Sequence, residues 1–419
     1  MNQITDPYIR VLKKYKIEPN FIEDLGKVKK VFTNNGIFAL KQVVFSEDQR
    51  HQFMQAVKNL HERGYRHVVP IYLTSTQEIL VKENESEFYL MPWVATNRRF
   101  KDDSIYDLMK EAARIHVVTE VKGKANRSYL QHFYEKSKTN IDKRKLDYER
   151  FIEKCEKKIY MSPFELLYCT HFIQLIRMEE LALNLLEDWY DTTKEKAQSR
   201  TALCHGNLSP NHLLYDENGH AYLINFDRTY TASPIYDLLY FFQKSLYRYP
   251  QKATEATEWY RHYTRQHQLT EEERLLLFYY LIQTENIHKI IHRYQTDSSI
   301  SEKKIVAKLQ RSIWQMQAVH TFVTQLNEAI QQEKNKDLFE GESGSRGEGS
   351  GESDISGGNG EGIGERDVSG GSGEGIGERD VSGGSGEGIG ERDVSGGSDE
   401  GIGERDVSGG SGEGFIESM

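Results

Sequence analysis

The spacing of apolar and polar positions changes character along the chain. "KVKKVFT" and "IFALKQVVF" are β-branched and aromatic runs joined across "NNG", which predicts a hairpin. "SEDQRHQFMQAVKNLHERGY" follows with a helical pattern, Ser46 as its N-cap, acids in its first turn and Gly64 as its stop. Two further apolar runs, "HVVPIYLT" and "EFYLMPWVA", predict strands, giving the order strand, strand, helix, strand, strand. From Ser104 the apolar residues recur three and four apart, in "IYDLMKEAARIHVV", "ELLYCTHFIQLIRMEELALNLLEDWY", "IYDLLYFFQKSLYRY", "EEERLLLFYYLIQTENIHKIIHRYQ" and "IVAKLQRSIWQMQAVHTFVTQLNEAIQQE". Only "HLLYD" and "HAYLINF", flanking "ENG", interrupt them with a second short hairpin. The pattern predicts an α+β protein of two lobes: a small antiparallel β-rich N-lobe with one helix, residues 1–97, and a large helical C-lobe with a β-hairpin, residues 98–335.

The periodicity stops there. Residues 336–419 are dominated by Gly, Ser, Glu and Asp, and the 13-residue unit "GGSGEGIGERDVS" recurs with few changes from Gly357, Gly370, Gly383 and Gly396. With no aromatic residue between Phe339 and Phe415, this segment cannot bury enough apolar surface to offset its ordering entropy, so it is expected to be a disordered tail. A calcium-binding β-roll is the other reading of Gly-rich repeats. The 13-residue period, against nine, and Glu where the roll needs Asp argue against it.

Charge separates the same two parts. Residues 337–419 carry 21 acidic and 5 basic side chains, net −16, which leaves 43 acidic and 49 basic, net +6, for residues 1–336. That excess is too dilute for nucleic-acid binding, and no compact Lys/Arg stripe with interleaved aromatics occurs. Cys155, Cys169 and Cys204 are too few and too scattered for a disulfide framework or a zinc site, which fits a reducing compartment. The N-terminus has no basic segment followed by an apolar one, and no run of 18 apolar residues occurs, so synthesis in the cytoplasm without a membrane span is expected.

The stretch with chemical content is "CHGNLSPNHLLYDENGHAYLINFDR", Cys204–Arg228. A phosphotransferase loop places an Asp two residues after its His, an Asn five residues further on, and another Asp at the end of a following strand. Here those places read Asn207, His212 and Asn225. With "FALK", "YLMPW", "HGNLSPNHLLY", "YLINFDR" and "SPIYDLLYFF" in this order, residues 5–332 resemble the aminoglycoside phosphotransferase and choline kinase-like branch of the protein-kinase fold. Within that branch the chain looks most like the CotS and YsxE group of bacterial spore coat proteins.

The resemblance implies a bilobal protein-kinase-like fold and assigns places to residues. Lys41 matches the strand lysine that pairs with nucleotide phosphates and a helix Glu, for which Glu47 and Glu62 are the candidates; a surface lysine at a strand end is the plainer alternative. Leu90 and Met91 lie in the segment that would line an ATP-like cleft. His205 would brace the loop, and Asp237 would fix it from the helix beneath. Asn207 occupies the catalytic-base position, where a neutral amide has no usable pKa; a positioned base is worth about 10²- to 10⁴-fold. Asn225 and His212 occupy magnesium-ligand positions, with a neutral carbonyl and an imidazole in place of the charged oxygen and amide oxygen that suit this hard cation. Asp227, two residues past Asn225, is the candidate substitute acid, or else a hydrogen-bonding residue at the loop start. "EDLGKVKK" offers one glycine where a phosphate cradle needs several. The expectation is therefore a pseudokinase with no cofactor, serving as a structural or docking protein of the spore coat with other coat proteins as partners. An active phosphotransferase rebuilt around Asp227, or a module that binds ATP and Mg without transfer, is the alternative.

Overall fold

The computed structural model describes residues 7–95 and 104–344. The chain divides into two units, residues 1–334 with 411–419 and residues 335–410; of the second, only the end of its leading helix lies among the described residues. The repeat segment expected to be disordered, and the expected lobe boundary at residues 97–98, lie outside them.

The N-lobe is a five-stranded antiparallel sheet in the order β1–β2–β3–β5–β4, with β1 Phe21–Leu25, β2 Val28–Thr33, β3 Gly36–Val43, β4 Val81–Glu83 and β5 Ser86–Pro92. The hairpin across "NNG" forms as the alternation predicts, Thr33 pairing with Gly36. Helix α1, Pro7–Lys14, packs Val11 and Leu12 against Leu40, Phe88 and Leu90 on one face of the sheet. On the other face, Ala39, Val43, Tyr89 and Met91 join the main core with Phe53, Ala56 and Leu60 of α2, Glu47–Glu62. Ser46 caps α2 through a reciprocal bond pair with Gln49, which supplies acceptors for two amides that the first turn would leave unpaired.

The N-lobe departs from expectation at four places. Helix α1 and strands β1 and β4 are additional elements, and "HVVPIYLT" is not a strand. Pro70 removes a ladder donor in the middle of that run. Its residues form isolated bridges instead, Val68 to Leu223 in the C-lobe and Tyr72 to Leu90 in the N-lobe sheet, so the run ties the lobes together.

The C-lobe is built on α3 Ser104–Thr119, α4 Arg127–Glu156, α5 Pro163–Thr193, α6 Ile235–Arg248, α7 Ala253–Thr264, α8 Glu271–Ile282, α9 Glu285–Thr296 and α10 Glu302–Gly344. Strands β6 Val121–Lys124, β7 Gln198–Cys204 and β10 Tyr230–Ala232 form a small sheet, and β8 Leu213–Tyr215 pairs with β9 Ala221–Leu223 across the "ENG" turn. The single helix expected over 271–295 is two. The break at Gln283 and Thr284 has a polar cause: the Thr284 hydroxyl donates to the buried Glu179 carboxylate, and the Thr284 carbonyl accepts from Tyr148 Oη. Glu179 also takes a two-bonded fork from Arg144, at 2.8 and 2.9 Å, so both oxygens of this buried acid on α5 are paired. Among the described residues no helix is long and apolar enough to cross a membrane.

Candidate functional site

The site is assembled by β7, which delivers Cys204 and the loop after it, by the β8–β9 hairpin, and by β3 and β5 from the opposite lobe. The loop's backbone comes first. Asp237, in the first turn of α6 and fully buried, accepts the amides of His205 and Gly206 at 2.7 and 2.8 Å. Burial alone would raise its carboxyl, but the bond and charge of His116 and the loop amide outweigh that and hold it below the usual carboxylate range. His205 Nδ1 accepts from the Asn207 amide at 3.2 Å, so Nε2 carries the hydrogen it donates to the Ile224 carbonyl at 2.8 Å. Burial depresses its pKa, consistent with that neutral tautomer. Gly206 has φ +74°, and a Cβ there would collide with the carbonyl of Arg228. His205 and Asp237 thus hold the loop's backbone through these bonds.

Behind Asp237 the bracing continues through buried polar groups. His116 Nε2 lies 3.1 Å from Asp237 and its Nδ1 2.7 Å from Tyr263 Oη; that hydroxyl lies 3.2 Å from His267 Nδ1, and His267 Nε2 lies 3.0 Å from Glu120. Burial and the neighbouring Arg200 push the His267 pKa down.

Asn207, His212 and Asn225 each find partners within the loop or on β3. Asn207 turns its carbonyl to His212 Nδ1 at 2.8 Å, and its side-chain oxygen is buried with no hydrogen-bond partner. His212 stacks on His205 with ring centroids 5.6 Å apart; burial and that neighbour lower its pKa to about 4, so at neutral pH it is an uncharged imidazole. Asn225 adopts the left-handed conformation at φ +70°, which suits Asn better than most side chains, and its side-chain oxygen accepts from Lys41. Asp227 does not sit on a continuing strand; β9 ends at Leu223 and residues 226–228 form a 3-10 turn. That turn brings Asp227 back to Lys41, with which it pairs, and to Tyr89 Oη, which donates to it at 2.7 Å.

Lys41 is therefore no surface residue: it is 5% exposed. Burial lowers its pKa, against the opposing pull of Asp227. Its partners come from the C-lobe loop, and neither Glu47 nor Glu62 of α2 reaches it; Glu62 meets Lys58 instead. Lys41, Tyr89 and Met91 share one sheet face, whereas Leu90 points into the opposite core with α1, so of the two expected cleft residues only Met91 is on the Lys41 side. The β1–β2 connection is a two-residue turn, Gly26–Lys27, with Leu25 paired to Val28. Lys29 closes over it, donating to Asp24 at 2.5 Å and to the Gly26 carbonyl at 2.7 Å, so the turn's polar groups are used internally.

For a metal, the expected ligand positions diverge: Asn225 faces Lys41 and His212 faces Asn207. Among the described residues the cluster with donor atoms close enough to share an ion is His116, Cys204 and Asp237. Their lone pairs are occupied by the brace, and burial pushes the Cys204 thiol well up, so that it keeps its proton and donates to the Ser233 carbonyl at 3.4 Å. Sequence reasoning missed Tyr89, His116, Tyr263 and His267, whose places follow from tertiary packing and carry no local signal.

Comparison with known proteins supports the scaffold. The structure is similar to an aminoglycoside phosphotransferase from Alicyclobacillus acidocaldarius, with a TM-score of 0.59, 16% identity, and coverage of 77% of this chain and 95% of that one. It is more distantly similar to a spectinomycin phosphotransferase in complex with ADP and spectinomycin (TM-score 0.44, 13% identity, 76% and 100% covered) and to a choline kinase from Streptococcus pneumoniae (0.40, 16%, 74% and 99%). No curated protein matches the sequence. The phosphotransferase enzyme family profile matches residues 31–277, from the second strand of the N-lobe through the loop, its brace and most of α8. Since that match spans more than half of the chain and takes in the whole loop-and-brace assembly, the protein belongs to the phosphotransferase enzyme family.

Proposed function

We propose that this chain keeps the phosphotransferase scaffold without the transfer reaction and works as a docking or structural component, in the spore coat. The observation that carries the reading is the Lys41–Asp227–Tyr89 contact. With Asn at both acid positions, Asp227 is the remaining carboxylate at Lys41, and it is committed to that lysine and to Tyr89. No general base stands at position 207, and a pair of ligands for magnesium is not assembled at 212 and 225. The near-identical units after residue 357 support docking, because repeated short segments let weak contacts add through avidity. The coat assignment is supported by the resemblance of "FALK", "HGNLSPNHLLY" and "YLINFDR" to the CotS and YsxE group.

One observation favours a second reading, a module that binds nucleotide without transferring phosphate: Lys41 and one carboxylate still meet in the cleft. The two separate in a melting experiment on the full chain with ATP and Mg²⁺ raised into the millimolar range. A ligand at 100 times its dissociation constant adds about 2.7 kcal/mol, a shift of roughly 4 °C for a domain of this size. The scaffold reading expects no shift. A magnesium-dependent shift that Lys41→Ala abolishes establishes the second reading, and ATP turnover overturns both.

A further inference from the structure

A cavity of about 250 Å³ opens where β6, the start of α4, the end of α5, the start of β7 and the start of α8 meet. None of the cleft residues described above lines it. Its inner wall is apolar, formed by the buried Trp189, Leu130 and Leu276. Its rim is charged, with Lys122, Lys124, Lys196 and Arg200 against Glu272 and Glu273, an excess of two positive charges.

Two of those cations are already engaged. Lys196 holds Glu272 at 2.5 Å, and Arg200 holds Glu273 in a fork, at 2.7 Å through Nε and 2.5 Å through Nη2. Lys122 and Lys124 are different. They are exposed, stand two residues apart on β6 and so project from the same side of the strand, and have no acidic partner among the described residues. An apolar pocket with two uncommitted ammonium groups at its mouth is complementary to one kind of ligand, an apolar body carrying a single negative group.

We infer that this cavity is a binding site for an organic monocarboxylate with an aromatic or branched body, the carboxylate held by Lys122 and Lys124 and the body lying against Trp189, Leu130 and Leu276. The fork of Arg200 is spent on Glu273, so the anion would be held by Lys122 and Lys124 as point charges. The excess positive charge of the rim rejects cations. The site stands apart from the cleft and does not depend on whether the cleft holds nucleotide.

Calorimetric titration of the full chain with phenylacetate tests it, alongside acetate, phenethylamine and phenyl phosphate. Phenylacetate is expected to bind at one site in the millimolar range or tighter. Acetate lacks the body and phenethylamine reverses the charge, so each should bind at least about tenfold more weakly. Lys122→Glu with Lys124→Glu should lose the phenylacetate site by at least about tenfold while leaving the melting temperature unchanged, because neither lysine is part of a fold contact. Lys122→Gln with Lys124→Gln repeats the test without charge reversal. Absence of phenylacetate binding in the millimolar range, equal binding of acetate or phenethylamine, or full affinity in either double variant overturns the site. Tighter binding of phenyl phosphate overturns the carboxylate assignment.

Discussion

Replacing Asp227 by Asn tests whether the carboxylate that meets Lys41 is committed to it. The lysine is 5% exposed and burial depresses its ammonium, with Asp227 pulling the other way. Asp227→Asn keeps the shape and removes the countercharge, leaving a buried cation with amide oxygens alone. Breaking a fully sealed pair from one side costs about 3–5 kcal/mol. The Asp227 side chain is 25% exposed and Asn225 remains as an acceptor, so about 2 kcal/mol is the expected loss, or roughly 3 °C. Lys41→Met should behave differently. It removes the group whose burial is unfavourable and leaves Asp227 with solvent and Tyr89, so its cost should stay within about 1 kcal/mol. In the Lys41→Met background, Asp227→Asn should cost no more than about 0.5 kcal/mol, a coupling of about 1.5 kcal/mol. Urea unfolding of the four proteins near neutral pH measures the cycle. A neutral Asp227→Asn, a Lys41→Met that costs as much, or additive effects would refute the reasoning.

His212 gives the fold an acid sensitivity. Its pKa is about 4 when folded, under burial and the His205 neighbour, and about 6.5 when unfolded, so the unfolded chain binds the extra proton first. The stability it contributes is complete above about pH 6.5 and is lost as pH falls through 4; the full linkage of about 3 kcal/mol is discounted to about 1–2 for a partly exposed ring. His205 and His267, also depressed by burial, act in the same direction. His212→Asn should lose less stability between pH 7.5 and about 4.5 than the parent in urea melts; an unchanged pH slope would remove His212 from the account. Glu179→Ala should cost about 3–5 kcal/mol, because it strands the buried Arg144 and frees the Thr284 hydroxyl that breaks α8 from α9. Thermal unfolding measures that loss, and a cost under about 1 kcal/mol would contradict the assignment.

The parts of this protein legible in its sequence are those whose cause is local. Ser46 with Gln49 announces a helix start three residues wide, and "NNG" and "ENG" fix two turns, all of which form. "HVVPIYLT" misleads because β-branched composition says strand, while Pro70 and the bond from Val69 to Leu223 make it a strap between lobes. The helix over 271–295 is broken by Thr284, whose partners are 105 and 136 residues away and leave no trace in a window of twenty. The candidate site shows the same division. Spacing alone places Asn207, His212, Asn225 and Asp237 in one neighbourhood, since they share a loop and its flanks. It does not reveal that Tyr89 meets Asp227, or that His116 stands behind Asp237, because those contacts are set by how β5 and α3 pack.

The retained and replaced features differ in kind. What holds the loop is main chain: two amides on Asp237, an amide on His205, and a glycine at φ +74° pressed against the Arg228 carbonyl. What has changed are side chains that would face substrate or metal. In a working transferase, phosphates and metal stand between the strand lysine and the acid of the loop. Here the lysine and the acid meet directly, joined by Asn225 and Tyr89, so the cleft supplies its own bridge between β3, β5 and the loop. Any nucleotide entering would first have to part Lys41 from Asp227 and expose a buried ammonium in the interval, a cost that a site built around phosphates does not face. Binding at the cleft would therefore compete with the internal contact between Lys41 and Asp227 that joins β3 to the loop.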